Sequence, residues 1–202
     1  MRESDPRVLR TREHIKQCFF ELLEEKPADQ ITVKELCQKA RCSRNTFYVH
    51  FQYRDNLFEQ LLDDYAKEIA YGFRPLVNSL KEQTGEVIEQ YMHNYLEGVY
   101  KNIDRVRAII KSDKTGYFQK ILTDEVYKAA IECSKKTIGE QTDATNSEEW
   151  QLICRYTTGG FVAFVTYLVC NTSVPFEKSK QILLDIIGPT MFIGEKYLKK
   201  CR

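Results

Sequence analysis

The chain is patterned for helices almost from end to end. Val8, Ile15, Phe19 and Leu22 recur at spacings of seven, four and three, with Arg12, Glu13, Lys16, Glu21 and Glu24 between them and Pro27 just beyond. Apolar residues at that period turn one helix face into a core and leave the charged face in water. A second, short helix is announced by Thr32-Val33-Lys34-Glu35, which has the form of a capping box. The threonine hydroxyl can accept from the third helical amide while the glutamate reaches back to the cap amide. Leu36 and Ala40 form its apolar face. Ser43 is a good N-cap for a third helix from Arg44 to about His50. A fourth, long helix follows from about Arg54, with Leu57, Leu61, Tyr65 and Ile69 on one face.

The remainder also reads as helices. Ile88, Met92, Tyr95 and Val99 form one stripe, and Phe118, Leu122 and Val126 another. Gln141 to Ser147 is a polar loop, and Ser147 caps a helix that carries Ile153, Tyr156, Gly160, Phe164 and Tyr167. A last helical region opens near Pro175 and holds Ile182, Leu183, Ile186 and Ile187, until Gly188-Pro189 kinks or ends it. There is no strand alternation and no internal repeat. The expected fold is all-α. A three-helix unit spans residues 1–55, a connecting helix starts at about residue 54, and a larger helical bundle spans 56–202.

Composition adds a constraint on chemistry. The 202 residues are 43% hydrophobic and 29% charged, as in ordinary globular domains, which excludes a largely disordered chain or a small disulfide scaffold. The net charge is only +1. Residues 30–54, however, hold five bases (Lys34, Lys39, Arg41, Arg44, Arg54) and one acid (Glu35), a local +4 that leaves −3 for the rest. This basic island coincides with helix, tight turn (Arg41-Cys42-Ser43), helix. That arrangement lays its second helix in the DNA major groove.

Other classes find little support. The polar start MRESDPRVLRTREH has no secretory h-region. The most apolar stretch, Phe161 to Cys170, is ten residues, short of the roughly 20 that span a bilayer. A cytoplasmic protein with no membrane partner is expected. The seven cysteines (18, 37, 42, 133, 154, 170 and 201) form no CxxC pair and read as free thiols of a reducing compartment. Only Cys37 and Cys42 approach the spacing of a zinc-ligand pair. No nucleophile–base pairing, metal cluster or phosphate loop stands out. The expectation is no enzyme, no metal and no cofactor.

The run ITVKELCQKARCSRNTFYVHFQYRDNLF over residues 31–58 resembles the DNA-binding domain of the TetR/AcrR family of bacterial transcriptional regulators. Thr32, Val33, Leu36, Ala40, Ser43, Thr46, Phe47, Tyr48, His50, Phe51 and Leu57 stand in register with its pattern. The resemblance is close over about residues 7–62 and elsewhere extends to length and helix order. It implies a homodimeric regulator that binds double-stranded DNA at a palindromic operator. It further implies a repressor, released by a small apolar effector in a C-terminal ligand-binding and dimerisation domain. The alternative is a regulator or adaptor controlled by a protein partner, with no small-molecule effector. Two positions depart from the pattern. Arg41 stands where the turn usually has glycine, and Tyr53 fills a cap slot often held by Ser or Asn.

Roles follow by chemistry and by that resemblance. Arg44 can fork to guanine O6/N7 and Asn45 to adenine N6/N7, each worth about 1–3 kcal/mol of base discrimination. Thr46 is placed to touch a thymine methyl or a phosphate. Tyr48 and His50 resemble the family's phosphate contacts. Thr32 and Lys34 face the DNA backbone, Ser43 caps the reading helix, and Arg41 is a further phosphate candidate. Arg54 would add its charge to a helix N-terminus as a phosphate site. Phe47 and Phe51 read as core. Tyr91, Tyr95, Phe118, Phe161 and Phe164 are candidates for the effector pocket. Gly160, Phe164, Tyr167, Ile182 and Ile186, on helices at about 151–171 and 176–197, are candidates for a four-helix dimer interface.

Overall fold

The computed structural model describes residues 5–78, 85–138, 146–171 and 173–186. All regular structure among them is helical. In chain order the helices are α1 (Pro6–Glu25), a 3-10 turn (Ala28–Gln30), α2 (Val33–Lys39), α3 (Arg44–His50) and α4 (Arg54–Asn78). Then come α5 (Gly85–Lys101), α6 (Ile103–Ser112), α7 (Tyr117–Ile138), α8 (Glu148–Cys170) and α9 (176–186). Ile187, Gly188-Pro189, Cys201, Thr172 and most of the Gln141–Ser147 loop lie outside the described residues, as do the side chains of Ile88 and Cys133.

The helix starts are fixed by side chains that satisfy otherwise orphaned amides. Asp5 accepts from the Arg7 amide at 2.8 Å, with Pro6 in the first turn. Thr32 Oγ1 accepts from the Glu35 amide at 3.2 Å and Glu35 Oε2 from the Thr32 amide at 3.1 Å, so the capping box is complete. Ser43 Oγ accepts from the Thr46 amide at 3.0 Å, and Ser147 Oγ from the Trp150 amide at 3.2 Å. One boundary has no counterpart in the sequence reading. The α5 helix ends at Asn102, whose amide group donates back to the Gly98 carbonyl at 2.9 Å, and α6 begins at once. Asp113 then caps α7, its carboxylate accepting from the Phe118 amide at 2.7 Å and the Thr115 amide at 3.1 Å, while Gly116 takes φ 72° in the turn.

The chain divides into two compact units, Met1–Tyr65 with Asp104–Phe118, and Ala66–Ile103 with Gln119–Arg202. The core of the first is a continuous cluster that includes Ile15, Phe19, Leu22, Ile31, Leu36, Phe47, Phe51, Leu57 and Leu61. Ala108 of α6 packs against it, the Arg105 guanidinium lies 5.1 Å from the Phe20 ring centroid, and the Ala28 amide donates to Ser112 Oγ at 3.2 Å. The α6 helix is thus built into the same unit as α1–α3. Lys16, only 9% exposed, is held by Asp64 at 2.6 Å and Glu13 at 2.9 Å, which ties α1 to α4.

In the second unit Met92, Leu96, Val126, Val162, Val165, Leu168 and Leu183 are buried. The Tyr100 hydroxyl donates to the Val174 carbonyl at 3.0 Å and lies 2.8 Å from the hydroxyl of buried Ser179, holding the turn before α9. The apolar character of α8 exceeds the ten-residue stretch read from the sequence. By length and composition it is long and apolar enough to cross a bilayer, and 39% of that span is buried. Trp150, Leu152 and Ile153 extend its apolar character back toward Ser147. One side packs into the unit and the other is exposed.

Glu35 makes the first unit sensitive to acid. The Lys26 ammonium at 2.5 Å, with the amide and hydroxyl of Thr32, holds its carboxyl at about 2 rather than 4.5. The folded chain binds this proton more weakly than the unfolded chain, so the contribution is present above pH 4.5 and lost as pH falls toward 2. Urea unfolding followed against pH should show the native protein more stable than Glu35→Gln at pH 6, with the gap closing across that window.

Candidate nucleic-acid interface

The α2–turn–α3 segment is positioned by its buried side. Phe47 is 0% exposed and Phe51 nearly so, their rings 5.6 Å apart, and α1, α2 and α3 pack on one another. With Phe47 committed to the core, the side chains of Arg44, Asn45, Tyr48 and Val49 are exposed. Tyr48 is 54% exposed and stands edge-on to Phe47 at 5.3 Å. The sequence reading took in the first three of these and passed over Val49. The signal for it was available, since Asn45 and Val49 are four residues apart and share a helix face.

The turn has a defined geometry. The Arg41 amide donates to the Gln38 carbonyl at 3.2 Å and the Cys42 amide to the Cys37 carbonyl at 3.0 Å. These are the paired bonds of a Schellman motif, which places one residue in the left-handed region. That residue is Arg41, at φ 50°, the only non-glycine residue with positive φ among the described residues. The guanidinium side chain is exposed. Beneath the turn, burial pushes the Cys42 thiol up to about 11, with Cys37 beside it adding to the effect, so it is a neutral thiol at pH 7. No group of three His, Cys, Asp or Glu residues suited to a metal ion occurs among the described residues.

The remaining candidates separate into exposed groups and committed ones. Lys34 is exposed at the start of α2, and among the described residues Lys34, Arg41 and Arg44 have no ion-pair partner. The hydroxyls of Thr32, Ser43 and Thr46 all work inside the caps, Thr32 donating to Glu35 at 2.8 Å and Ser43 lying 2.9 Å from Thr46. His50 is half-buried. Burial, with the Arg12 charge, lowers its pKa, which makes it a neutral hydrogen-bond donor at pH 7. Arg12 itself caps the Phe51 ring at 5.3 Å and bonds Gln60.

Arg54 is held within the protein. Its guanidinium donates to the Asp29 carbonyl at 2.9 Å, to the Ile31 carbonyl at 3.3 Å and to the Asp55 carboxylate through two nitrogens. It fastens the start of α4 to the segment before α2. Lys39 is likewise paired, with Glu21 at 3.2 Å and Glu25 at 3.5 Å. The local +4 of the sequence therefore overstates the charge available to a polyanion. The three unpaired cations lie at the start of α2, in the turn and at the start of α3.

A compact three-helix core, a Schellman turn and a short helix with an exposed polar face form a helix-turn-helix. Residues 20–61 match the sequence profile of bacterial regulatory proteins of the tetR family. Residues 20–61 therefore form a helix-turn-helix domain of the TetR type. The fold of the chain is shared across nearly its whole length with solved structures. One, assigned to the TetR family of transcriptional regulators and from Mesorhizobium loti MAFF303099, aligns at TM-score 0.69 and 14% identity, covering 94% of this chain and 98% of that one. The dihydroxyacetone kinase operon activator DhaS aligns at 0.62 and 19% identity, covering 91% and 97%. The TetR-family repressor AlkX from Dietzia sp. strain DQ12-45-1b, implicated in n-alkane biodegradation, aligns at 0.61 and 13%, covering 95% and 97%. No curated protein matches the sequence.

The TetR-type domain here tolerates an arginine where left-handed backbone favours glycine. For an L-residue that conformation costs about 1–2 kcal/mol, part of which a glycine gives back through the greater freedom of its unfolded chain. Arg41→Gly should therefore raise stability by about 1 kcal/mol, read as a higher urea midpoint at unchanged slope. A lower midpoint would show that the Arg41 side chain makes a stabilising contact in the protomer.

Proposed function

We propose that this TetR-type chain is a sequence-specific reader of double-stranded DNA that acts as a homodimer and represses by occupying a palindromic operator. The observation that carries the reading is the division of α3, with Phe47 in the core and Arg44, Asn45 and Tyr48 exposed together. Arg44 and Asn45 read base edges. Tyr48 and His50 donate to phosphates, and Lys34 and Arg41 supply the charge. Thr32, Ser43 and Thr46 support them by fixing the helix starts. Arg54 acts by positioning α4 against the segment before α2.

The dimer follows from a shortage and a surplus. One seven-residue helix offers few base contacts, and a two-fold copy doubles them on half-sites about 34–36 Å apart. The surplus is apolar surface. On α8, Leu152, Tyr156, Gly160, Ala163 and Tyr167 recur at spacings of four, four, three and four, and all five are exposed. Tyr156 is 82% exposed. An added Cβ at Gly160 would meet no heavy atom within 4 Å, so that glycine has open space in the protomer. Ile182 and Ile186 of α9 are exposed as well, while Phe164 is half-buried. A continuous apolar face of this kind fits an isologous interface.

The effector reading rests on Tyr91, Tyr95, Phe161 and Phe164 in the second unit. The Tyr95 and Phe161 rings lie 5.2 Å apart, and burial pushes the Tyr95 hydroxyl pKa up. Phe118 belongs to the first unit, its ring 6.5 Å from Tyr65, and supports the fold there. Release by an effector requires that it bind the DNA-incompetent state more tightly than the competent one. Solved relatives of this fold include a named activator and a named repressor. Repression is preferred here because occupancy alone achieves it.

Selection from a random duplex library at a stated salt concentration tests the reading. The expected result is an enriched palindrome, and Arg44→Ala should lose about 1–3 kcal/mol on it with relaxed preference at one position per half-site. An unchanged profile would remove Arg44 from base readout. Tyr156→Glu, at an exposed position that leaves the protomer core intact, should sediment as a folded monomer and lose the palindrome. A dimer that survives this change would place the interface elsewhere.

A further inference from the structure

We propose that Val49 determines specificity by reading a thymine methyl group beside the base contacted by Asn45. This rests on the proposed function above and deepens it. Val49 is 64% exposed, although valine is a residue that folding ordinarily buries. The core beneath α3 is already filled by Phe47 and Phe51, and the exposed face forms two rows, Arg44 with Tyr48 and Asn45 with Val49. A branched apolar side chain among polar neighbours offers no hydrogen bond to a base edge or a phosphate. In the major groove the apolar feature that distinguishes one base pair from another is the C5-methyl of thymine. The same A·T pair presents adenine N6 and N7, which suit the Asn45 amide. The Asn45–Val49 row therefore carries complementary halves of one code, an amide for adenine and an isopropyl group for thymine. The stiffness of a β-branched side chain in a helix holds the methyl groups in place before DNA arrives.

The test uses the full-length protein and the enriched duplex. Each thymine of one half-site is replaced in turn by uracil, which removes the methyl and nothing else. One replacement should weaken binding by the native protein about fourfold, the factor given by one buried methyl at about 0.8 kcal/mol. Val49→Ala should bind the thymine duplex about that much more weakly and show no further loss with uracil, whereas Val49→Ile should keep the sensitivity. If no thymine responds, or if Val49→Ala retains the full response, the role of Val49 is overturned while site-specific binding stands. If no sequence is enriched at all, the proposed function itself fails, and the role of Val49 with it.

Discussion

The exposed face of α3 depends on the burial of Phe47. A helix of seven residues is far too short to persist by itself in water, because nucleation costs more than so few hydrogen bonds return. The α3 helix exists because Ser43 satisfies its first turn and because Phe47 and Phe51 anchor one side in a core shared with α1, α2, α4 and α6. That anchorage also fixes rotation. With Phe47 inward, Tyr48, Val49 and Asn45 turn outward, and Arg44 is exposed at the first position of the helix. Loosening the core would therefore disturb the placement of these exposed side chains as well as stability.

Charge is organised to a different end from what a simple count suggests. Lys16, Lys26, Lys39 and Arg54 each have an acidic or carbonyl partner within the first unit, and these bonds join helix to helix. Only part of the basic island is therefore exposed for a polyanion. Lys34, Arg41 and Arg44 occupy the start of α2, the turn and the start of α3. In the proposed complex these are the places where a phosphate would meet both a cation and the helix-turn-helix backbone. A neutral His50 in the proposed complex would add a hydrogen bond without adding charge.

What was legible in the sequence was local. Capping residues act over three or four positions, so Thr32-Glu35, Ser43 and Ser147 could be read directly, and the structure has each bond. The departure at Arg41 was legible too, since the resemblance places glycine there, and the structure has that residue at φ 50°. What escaped depends on contacts far apart in the chain. The α6 helix joins the first unit through Ala108 and Ser112, the latter 84 residues from Ala28. Nothing near Arg54 in sequence shows that the carbonyls of Asp29 and Ile31 will occupy its guanidinium. Phe118 has the apolar spacing of a bundle helix, and only the fold places it beside Tyr65.

The second unit shows why periodicity alone identifies helices better than it identifies surfaces. The α8 helix is apolar around much of its circumference, so no polar stripe marks which side faces water. Its sequence permits three environments: a buried core helix, a bilayer span or a helix with an apolar interface. Burial discriminates among them. Val162, Val165 and Leu168 are enclosed, while Tyr156 and Tyr167 are exposed. Both exposed aromatics carry a hydroxyl that water or a partner's polar group can satisfy, which suits a face formed in water and then covered. An exposed acidic first turn, Glu148 and Glu149, keeps one end of the helix soluble. The pattern is the one the proposed interface requires. The apolar composition that leaves the sequence ambiguous is thus divided by the fold into a buried side and an exposed side.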